Sequence, residues 1–447
     1  MKKDIHTYSY DNGDIQKVLK VNLDSFNDFR ILKPDYNKKS FDNLCDLYQD
    51  FIIKKYHYIF GKIVLFTLPQ DIRIPFDDYD EEYGKIYDPL VLVNISFRKN
   101  IIIKNKKLYF KDKKTEDFYH YLEENKYLRM VEGDRNSISF MPVGYDMGFM
   151  SETRKDVSLK VNSAFFVMDR FDCATAYDIV GTPIGLNIKD GIIYNPPMFN
   201  RETLFVNRNN EVYISKCDLS KVSIIIDGIS FIDKENCTFI CRPEYSRSIK
   251  GGMDIVVVNN KVIAVKHKGN IPVPSGGYII HLYEDRDMDI KDTNVSYKGF
   301  EDISFGIQVG NSVIVDGKKT EGFISSFSNI YRFWLPSYPP SLYPLDYEKD
   351  RAPRIVLGAD KNNKPVLLWF EGAGKFGYEK GKDSCGASLK EVSDICEKLG
   401  LYNGINLDGG GSAQILINNQ RDLLISDREA DTFKEKERAV PLGLYIE

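Results

Sequence analysis

An aspartate followed by three glycines, at Asp408 to Gly411, combines residue types that can act on a phosphate. Glycine lacks a Cβ, so the N–H groups of Gly409, Gly410 and Gly411 can converge closely on an anion. A carboxylate beside such donors can serve as a nucleophile or as a general base. A strained turn in which the aspartate caps its own backbone is the simpler interpretation of so short a motif.

Apolar runs flank these glycines within the stretch from Gly404 to Asn418. This pattern predicts one strand that enters a tight turn and a second strand that leaves it. Alternation places Asn406 and Asp408 on one face of the first strand and the apolar residues around them on the other. The two polar side chains therefore point together, into solvent or into a site.

Arg354 lies at the start of a second strand pattern, Pro353–Gly358, which turns at Lys361–Lys364 and returns over Val366–Phe370. A guanidinium fixed on a strand can bind a phosphate through two parallel hydrogen bonds, which a lysine cannot reproduce. This predicts Arg354 as a phosphate ligand, with a surface or salt-bridged arginine as the alternative.

Composition and motifs argue against several other classes. The net charge of -4 gives no reason to expect a nucleic-acid partner, and 43% hydrophobic with 28% charged residues is typical of a soluble globular protein. The chain has no Gly-x-x-x-x-Gly-Lys loop, no His-Glu-x-x-His and no Gly-x-Ser-x-Gly, and its five histidines are scattered. A zinc enzyme or a serine hydrolase is therefore not expected.

The first ten residues lack the apolar core of a signal peptide, and no run approaches the roughly 20 apolar residues of a membrane span. The seven cysteines form no Cys-x-x-Cys pair and are odd in number, which favours reduced thiols. We therefore expect a cytoplasmic protein without a membrane span, with a virion-associated protein as the alternative. The oligomeric state stays open.

The octapeptide Asn-Leu-Asp-Gly-Gly-Gly-Ser-Ala at 406 to 413 resembles the signature of the phosphodiester glycosidase family. Other stretches resemble further elements of that family in the same order, over about residues 155 to 447. They are Asn162 with Phe165 and Phe166, Pro353–Gly358, Glu371–Ala373 and Glu437–Pro441.

The resemblance implies a hydrolase that cleaves the sugar-to-oxygen bond of a glycosyl-1-phosphodiester, giving a free sugar and a phosphomonoester. Asp408 is the implied nucleophile or general base, and Glu371 is the second catalytic candidate. The substrate is expected to be a small-molecule or polymer glycophosphate. The implied ligands of its phosphate and sugar are Arg354, Arg438, Gly409, Gly410, Gly411, Ser412, Asn406 and Asn162.

Glu371 lengthens the aspartate of the family pattern, and two further positions depart from it: Ser163 replaces a glycine, and Ala373 replaces an arginine. They leave open a module that binds a glycophosphate or a nucleotide sugar without turnover, because a fold does not by itself imply an activity. A phosphodiesterase that breaks the P–O bond with Asp408 as a metal ligand is a further alternative. The sequence requires no cofactor and leaves a divalent cation open.

Strand and turn patterns dominate the chain and predict an α+β fold. We expect a β-rich, mixed-sheet catalytic domain with a few packed helices over residues 151–447, and an N-terminal α/β region of unknown role over residues 1–150. Ser388 and Glu391 predict a capping box at the start of a helix that ends at Gly400. The aromatic and proline-rich stretch 327–351 predicts either a glycan platform or packing over the core.

Overall fold

The structure is a computed structural model that describes the first 32 residues and much of the chain from residue 101 onward. The described residues are 1–32, 101–104, 107–113, 116, 120, 129–132, 138–141, 148–166, 183–195, 201–217, 223–231, 236–241, 248–258, 260–271, 273, 277–323, 350–372, 378–428 and 434–447. The predicted aromatic stretch therefore lies outside the described residues, except for its last two positions, and so does Ala373.

Seven strands form the largest sheet, called the central sheet below. In order across the sheet they are Lys2–Ser9, Ile15–Asn22, Pro365–Phe370, Arg354–Asp360, Leu401–Asn406, Ser312–Val315 and Lys318–Lys319. Every neighbouring pair is antiparallel. The predicted hairpin that begins at Arg354 thus occupies the middle of this sheet, next to the strand that leads to Asp408.

The first 32 residues are part of this architecture. Val18 pairs with Phe370 in the central sheet, and the strand Arg30–Leu32 pairs with Gly443–Ile446. The predicted boundary at residue 150 therefore does not separate residues 1–32 from the rest of the chain. Sequence pattern identifies a strand but not a partner that lies some hundreds of residues away, so this pairing was not foreseen.

The central sheet has two apolar faces because its side chains alternate along each strand. Ile355 and Trp369 face one core cluster, which continues into the smaller sheets. Val356 and Leu368 face another, which lies under the helix Leu389–Lys398. This helix starts at the predicted capping box, in which the Ser388 and Glu391 side chains each accept a hydrogen bond from the other's backbone N–H.

A four-stranded sheet, called the terminal sheet below, packs beside the glycine-rich turn. Its strands in order are Ile415–Ile417, Leu159–Asn162, Gly443–Ile446 and Arg30–Leu32, and all are antiparallel. It thus joins Arg30–Leu32 and Gly443–Ile446 to the segment that follows the glycines. Asn162 is the last residue of its second strand.

The remaining described strands form smaller antiparallel sheets. A five-stranded sheet contains Ile192–Asn195, Asn187–Lys189, Ile303–Ile307, Arg201–Asn207 and Val212–Cys217. A four-stranded sheet contains Cys237–Cys241, Gly277–Leu282, Lys250–Val258 and Lys261–Gly269, and a three-stranded sheet contains Ile229–Phe231, Ser223–Ile226 and Val295–Lys298. Three strand pairs complete the set: Phe165–Phe166 with Pro183–Ile184, Ile101–Lys104 with Lys107–Phe110, and Arg129–Glu132 with Ile138–Met141.

Among the described residues, 52% lie in strands and 7% in helices, which confirms the β-rich character of the predicted fold class. In this described part, helices are fewer than predicted. The strand pairs within the named sheets are antiparallel where mixed sheets were expected, because strand patterning does not reveal the direction of the partner. Within the part of the chain that the structure describes, no helix is long and apolar enough to cross a membrane.

Candidate active site

The predicted strand, turn and strand around the glycines are present. The strand Leu401–Asn406 leads into the turn, Gly410–Ser412 form one turn of 3-10 helix, and Ile415–Ile417 is the outgoing strand. Ile405 and Leu407 are buried in the first core cluster, as the alternation predicted. The polar residues next to them lie on the opposite face, which is the face that carries the helix.

The backbone of Asp408 is held by the terminal sheet. Its N–H donates to the carbonyl of Ser163 at 3.0 Å, and its carbonyl accepts a 2.7 Å hydrogen bond from Nδ2 of Asn162. Oδ1 of Asn162 accepts the N–H of Gln414 at 3.0 Å. Asn162 thus joins the two ends of the turn, with both polar atoms engaged by the backbone. These hydrogen bonds give Asn162 a positioning role, and its predicted contact with the substrate stays a prediction.

Gly409 and Gly411 are close to their neighbours in ways that only glycine permits. A Cβ on Gly409 would lie 2.6 Å from the carbonyl oxygen of Pro353. A Cβ on Gly411 would overlap Nη2 of Arg438 and both carboxylate oxygens of Asp427. These two glycines therefore let the turn pack directly against a central strand on one side and against an ion pair on the other.

Gly410 is required for its backbone conformation, and its N–H is not available as the anion donor that was predicted. Its φ of +57° is in the left-handed region, and its N–H donates to the carbonyl of Pro353 at 2.9 Å. That donor is therefore already used by the protein. The N–H groups of Gly409 and Gly411 have no acceptor among the described residues. The anion-binding group predicted from three glycines is thus reduced to two.

Arg354 is placed beside Asp408 by the register of the central sheet. Val356 pairs with Asn406, so continuing the register by two residues sets Arg354 opposite Asp408. A hydrogen bond from the N–H of Leu407 to the carbonyl one residue after Arg354, 2.8 Å long, extends the pairing in this direction. Residues opposite each other in an antiparallel pair project to the same face of the sheet.

The guanidinium of Arg354 is buried and held by main-chain carbonyls. The residue is 5% exposed, and it donates from Nε to Ala387 at 3.2 Å and from Nη2 to Asp350 at 3.1 Å. Its Cδ would be 3.6 Å from a Cβ placed on Gly409. The side chain is therefore a fixed positive charge against the first glycine of the turn.

Arg438 reaches the other side of the turn. Its Nε and Nη2 donate to one carboxylate oxygen of Asp427 at 3.1 and 2.8 Å, and both side chains are one-third exposed. The pair lies directly against the α-carbon of Gly411. The structure thus brings the two predicted arginines to opposite ends of one three-residue turn, with Asp408 at its start.

The other two predicted ligands of the turn are buried. The N–H of Asn406 donates to the carbonyl of Asn311, and its carbonyl accepts from the N–H of Gly310, each at 2.9 Å. Ser412 is fully buried, and its hydroxyl has no hydrogen-bond partner in the part of the chain described. Their contact with a substrate stays a prediction.

Glu371 directly follows the strand Pro365–Phe370, which neighbours the strand that begins at Arg354. Its carboxylate is hydrogen-bonded to other residues of the protein. It is 4% exposed, with Oε2 accepting from the Ser384 hydroxyl at 2.5 Å and Oε1 accepting from the N–H of Leu424 at 2.9 Å. The ammonium of Lys17 lies 3.6 Å from Oε2. This carboxylate therefore joins four segments of the chain, and its contacts favour a structural role over the catalytic one predicted.

We expect Glu371→Gln to lower the free energy of unfolding by about 1–3 kcal/mol, because one of its buried donors loses a carboxylate acceptor. Urea unfolding of the wild type and the variant measures the difference. Unchanged stability together with lost turnover would instead return Glu371 to the catalytic residues.

A charged cluster that the sequence did not reveal lies next to one of the carbonyls that hold the guanidinium of Arg354. Arg351 forms ion pairs with Glu391 at 2.6 Å and with Asp14 at 3.1 Å. It therefore connects the N-terminal hairpin to the start of the helix. The adjacent carbonyl, that of Asp350, is one of the two that hold the guanidinium of Arg354.

This cluster makes stability depend on pH. Burial raises the pKa of Glu391, but hydrogen bonds from Arg351 and Ser388 outweigh it and hold the pKa below the usual 4.5. A carboxyl whose pKa is lower in the folded state contributes stability above its unfolded pKa and loses it as the pH falls through the folded value. We therefore expect the free energy of unfolding to decline below about pH 4.5.

The variant Glu391→Gln isolates this contribution, because glutamine can still complete the capping box while the ion pair with Arg351 is lost. Its unfolding free energy should fall less steeply than that of the wild type as the pH is lowered below 4.5. Denaturant titrations at a series of pH values measure both slopes, and parallel slopes would contradict the assignment.

No group of three or more histidine, cysteine, aspartate or glutamate side chains among the described residues is arranged to hold a metal ion. The structure places the guanidinium groups of Arg354 and Arg438 against the turn, which itself carries the N–H groups of Gly409 and Gly411. Guanidinium and backbone N–H groups are ligands for an anion, and Asp408 begins the same turn.

The sequence profile described as phosphodiester glycosidase matches residues 220–447, just over half of the chain. The match includes Arg354, Asp408, the three glycines and Arg438, which are the residues that meet at the turn. The chain belongs to the phosphodiester glycosidase family. Asn162 and Ser163 lie before the matched region. A comparison with curated proteins gave no match.

Solved structures give more distant similarities. A hypothetical protein from Synechocystis aligns at 18% identity and a TM-score of 0.40, over 72% of this chain and 56% of that one. The chain thus spans just over half of that protein's length. A protein from Burkholderia pseudomallei aligns at 12% identity and a TM-score of 0.39, over 100% of this chain and 96% of that one.

The catalytic domain of zebrafish N-acetylglucosamine-1-phosphodiester alpha-N-acetylglucosaminidase, auto-inhibited by its pro-peptide, aligns at 13% identity and a TM-score of 0.26. The alignment covers 72% of this chain and 81% of that domain. All three TM-scores are below 0.5. The family assignment accordingly depends on the sequence profile.

Proposed function

We propose that this protein is a hydrolase that cleaves the glycosyl C–O bond of a sugar-1-phosphodiester, releasing a free sugar and a phosphomonoester. Membership of the phosphodiester glycosidase family supports the reaction class. The observation that carries the proposal is the position of Asp408 at the start of a turn flanked by Arg354 and Arg438. A carboxylate and a phosphate-binding group are thereby held within one short segment.

Stabilisation of the leaving phosphate is the first requirement of this reaction. As the glycosyl C–O bond breaks, its electron pair moves to the phosphate oxygen and negative charge grows there. The guanidinium groups of Arg354 and Arg438 and the N–H groups of Gly409 and Gly411 are donors for that charge. Because they are fixed before the reaction, they need little reorganisation, and a single such donor contributes about 3–4 kcal/mol in other enzymes.

A carboxylate near the anomeric carbon is the second requirement. Asp408 would attack that carbon and form a glycosyl-enzyme ester, or would remove a proton from the attacking water. Its backbone N–H donates to Ser163 and its carbonyl accepts from Asn162, and these two hydrogen bonds hold the residue at the start of the turn. A phosphate is already a good leaving group, so the reaction depends less on a separate acid than ordinary glycoside hydrolysis does.

The proposed substrates share one chemical group, an anomeric carbon bonded to a phosphodiester oxygen. Glycophosphates, nucleotide sugars and glycosyl-phosphate polymers all contain it. The phosphodiester glycosidase profile that matches residues 220–447 supports this class.

Hydrolysis of a panel of glycosyl-1-phosphodiesters and nucleotide sugars in oxygen-18 water tests the proposal. We expect the label in the released sugar, because water attacks carbon. Label in the phosphate would instead show cleavage of the P–O bond by a phosphodiesterase. Measurable binding without any product would show a recognition module that lacks turnover.

A further inference from the structure

A second carboxamide, that of Gln414, lies beside Asn162 on the terminal sheet. Ile415 pairs with Val161, so the next pair in the register is Gln414 with Asn162. A hydrogen bond from the N–H of Gln414 to Oδ1 of Asn162, 3.0 Å long, links the two residues directly. Because Asn162 also holds the carbonyl of Asp408, Gln414 is one side chain removed from the catalytic candidate.

The orientation of the Gln414 amide is determined by its neighbour. Its Oε1 accepts hydrogen bonds from Nε and Nη2 of Arg421 at 3.2 and 3.0 Å. A guanidinium can only donate, so the atom that faces Arg421 must be the carbonyl oxygen and not the NH2 group. Gln414 is 1% exposed, and its Nε2 is buried with no acceptor in the described part of the chain.

The charge next to this amide is compensated. Arg421 is paired with Glu437 at 2.6 Å, and Glu437 also accepts from the N–H of Ser151 at 3.0 Å. Burial raises the pKa of Glu437, but the hydrogen bonds from Ser151 and Arg421 outweigh it and hold the pKa below its usual value, so the carboxylate is ionised. The surroundings of Gln414 therefore carry no net charge from this pair.

Two further buried hydroxyl groups lie on the same segments without a partner. Ser163, whose carbonyl accepts the N–H of Asp408, has its hydroxyl buried and unbonded among the described residues. The hydroxyl of Ser412, two residues before Gln414, is also buried without a hydrogen-bond partner among the described residues. Most buried polar groups are hydrogen-bonded, and other exceptions among the described residues lie at Tyr10, Gln16, Asn187 and Trp369. The three at Ser163, Ser412 and Gln414 lie together on the segments next to Asp408, which favours a polar ligand at this place.

We propose that the NH2 group of Gln414 is a specificity-determining donor that binds a neutral oxygen of the glycosyl group, either a hydroxyl or an acyl carbonyl. This inference rests on the proposed function. The anionic phosphate oxygens have charged partners in Arg354 and Arg438, whereas Gln414 is a neutral donor beside a guanidinium whose charge Glu437 compensates. A site with a buried donor rejects ligands that lack the matching acceptor, because the donor is then left unpaired.

The test uses binding, so that it does not depend on turnover. Calorimetry measures the dissociation constants of non-hydrolysable glycosyl phosphonate diesters, in which carbon replaces the glycosidic oxygen. The series contains the parent sugar and analogues that lack one hydroxyl or acyl group at a time. The proteins are the wild type, Gln414→Glu and Gln414→Leu.

Gln414→Glu keeps an acceptor for Arg421 but removes the NH2 donor, and Gln414→Leu removes both groups. We expect both variants to bind the parent ligand about 10- to 100-fold more weakly. We also expect one analogue, already weakened to a similar degree in the wild type, to lose no further affinity in either variant. Such non-additivity identifies the pair of groups that interact.

An equal loss across all analogues would show a structural role for Gln414 and overturn the inference, as would unchanged binding in both variants or no binding of any ligand by the wild type. Turnover in oxygen-18 water reports separately on the proposed function. Ligand-selective loss of binding without turnover would support the role of Gln414 while rejecting the hydrolase.

Discussion

Asp408→Asn is expected to abolish turnover of a glycosyl-1-phosphodiester while leaving its binding nearly unchanged. Asparagine has the shape of aspartate, and the contacts that fix this residue to Ser163 and Asn162 come from its backbone. The substitution therefore removes the nucleophile or base and keeps the turn. We expect kcat to fall by about a thousandfold or more. Release of free sugar measures turnover, and calorimetry with the phosphonate measures binding.

Asp422→Asn is the matched control for this substitution. It makes the same chemical change at a residue whose ion pair with Lys3 is partly exposed, so we expect activity and stability close to those of the wild type. An active Asp408→Asn enzyme would contradict the mechanism and direct attention to another carboxylate, with Glu371 as the next to be replaced. A loss of binding equal to the loss of turnover would also contradict it.

The parts of the site that the sequence predicted are those whose determinants are local. The alternation around Asp408 placed Ile405 and Leu407 in the core, and the three glycines placed a turn between two strands, because both signals act over a few residues. The capping box at Ser388 and Glu391 is equally local. Each of these was predictable from spacing and residue type alone.

The parts that it did not predict depend on contacts between distant segments. Asn162 is 246 residues from the carbonyl that it holds, and no local pattern shows that its amide is already occupied. The N–H of Gly410 is taken by Pro353, which approaches it only in the folded sheet. Tertiary pairing thus decided which predicted donors remain available for a ligand.

The partners of the arginines were missed for the same reason. Asp427 is eleven residues before Arg438 in the chain, and this spacing corresponds to no recognised motif. Arg351 was passed over although it is three residues before Arg354, because its partners Asp14 and Glu391 come from opposite parts of the chain. An ion pair has a sequence signal mainly when both residues belong to one helix or one hairpin.

Gly411→Ala is expected to disrupt the ion pair between Arg438 and Asp427 beside the turn. The new Cβ would overlap the guanidinium of Arg438 and the carboxylate of Asp427, so the ion pair must move. We expect the free energy of unfolding to drop by about 1–3 kcal/mol from overpacking. Displacement of Arg438 from the leaving phosphate should lower kcat/KM by about a hundredfold or more.

Two other glycines separate this steric effect from backbone strain. Gly410 and Gly400 both have positive φ values, and a Cβ at either would meet no atom within 4 Å. Alanine at either position should therefore destabilise the fold by about 1–2 kcal/mol through the left-handed backbone alone. Gly400 is remote from the turn, at the end of the helix, so Gly400→Ala should retain full kcat/KM.

The kinetics of the Gly411→Ala and Gly400→Ala variants, measured under conditions in which the same fraction of each is folded, then show whether the ion pair of Arg438 with Asp427 contributes to catalysis. If Gly411→Ala loses no more activity than Gly400→Ala, the ion pair of Arg438 with Asp427 does not contribute to the transition state. If the activity lost in Gly411→Ala is recovered by a second substitution, Asp427→Ala, which makes room for the methyl group, then Arg438 itself is the phosphate donor and Asp427 only positions it. That recovery is the result we expect, because the space left by the carboxylate lets the guanidinium of Arg438 move off the new methyl group while it stays beside the turn.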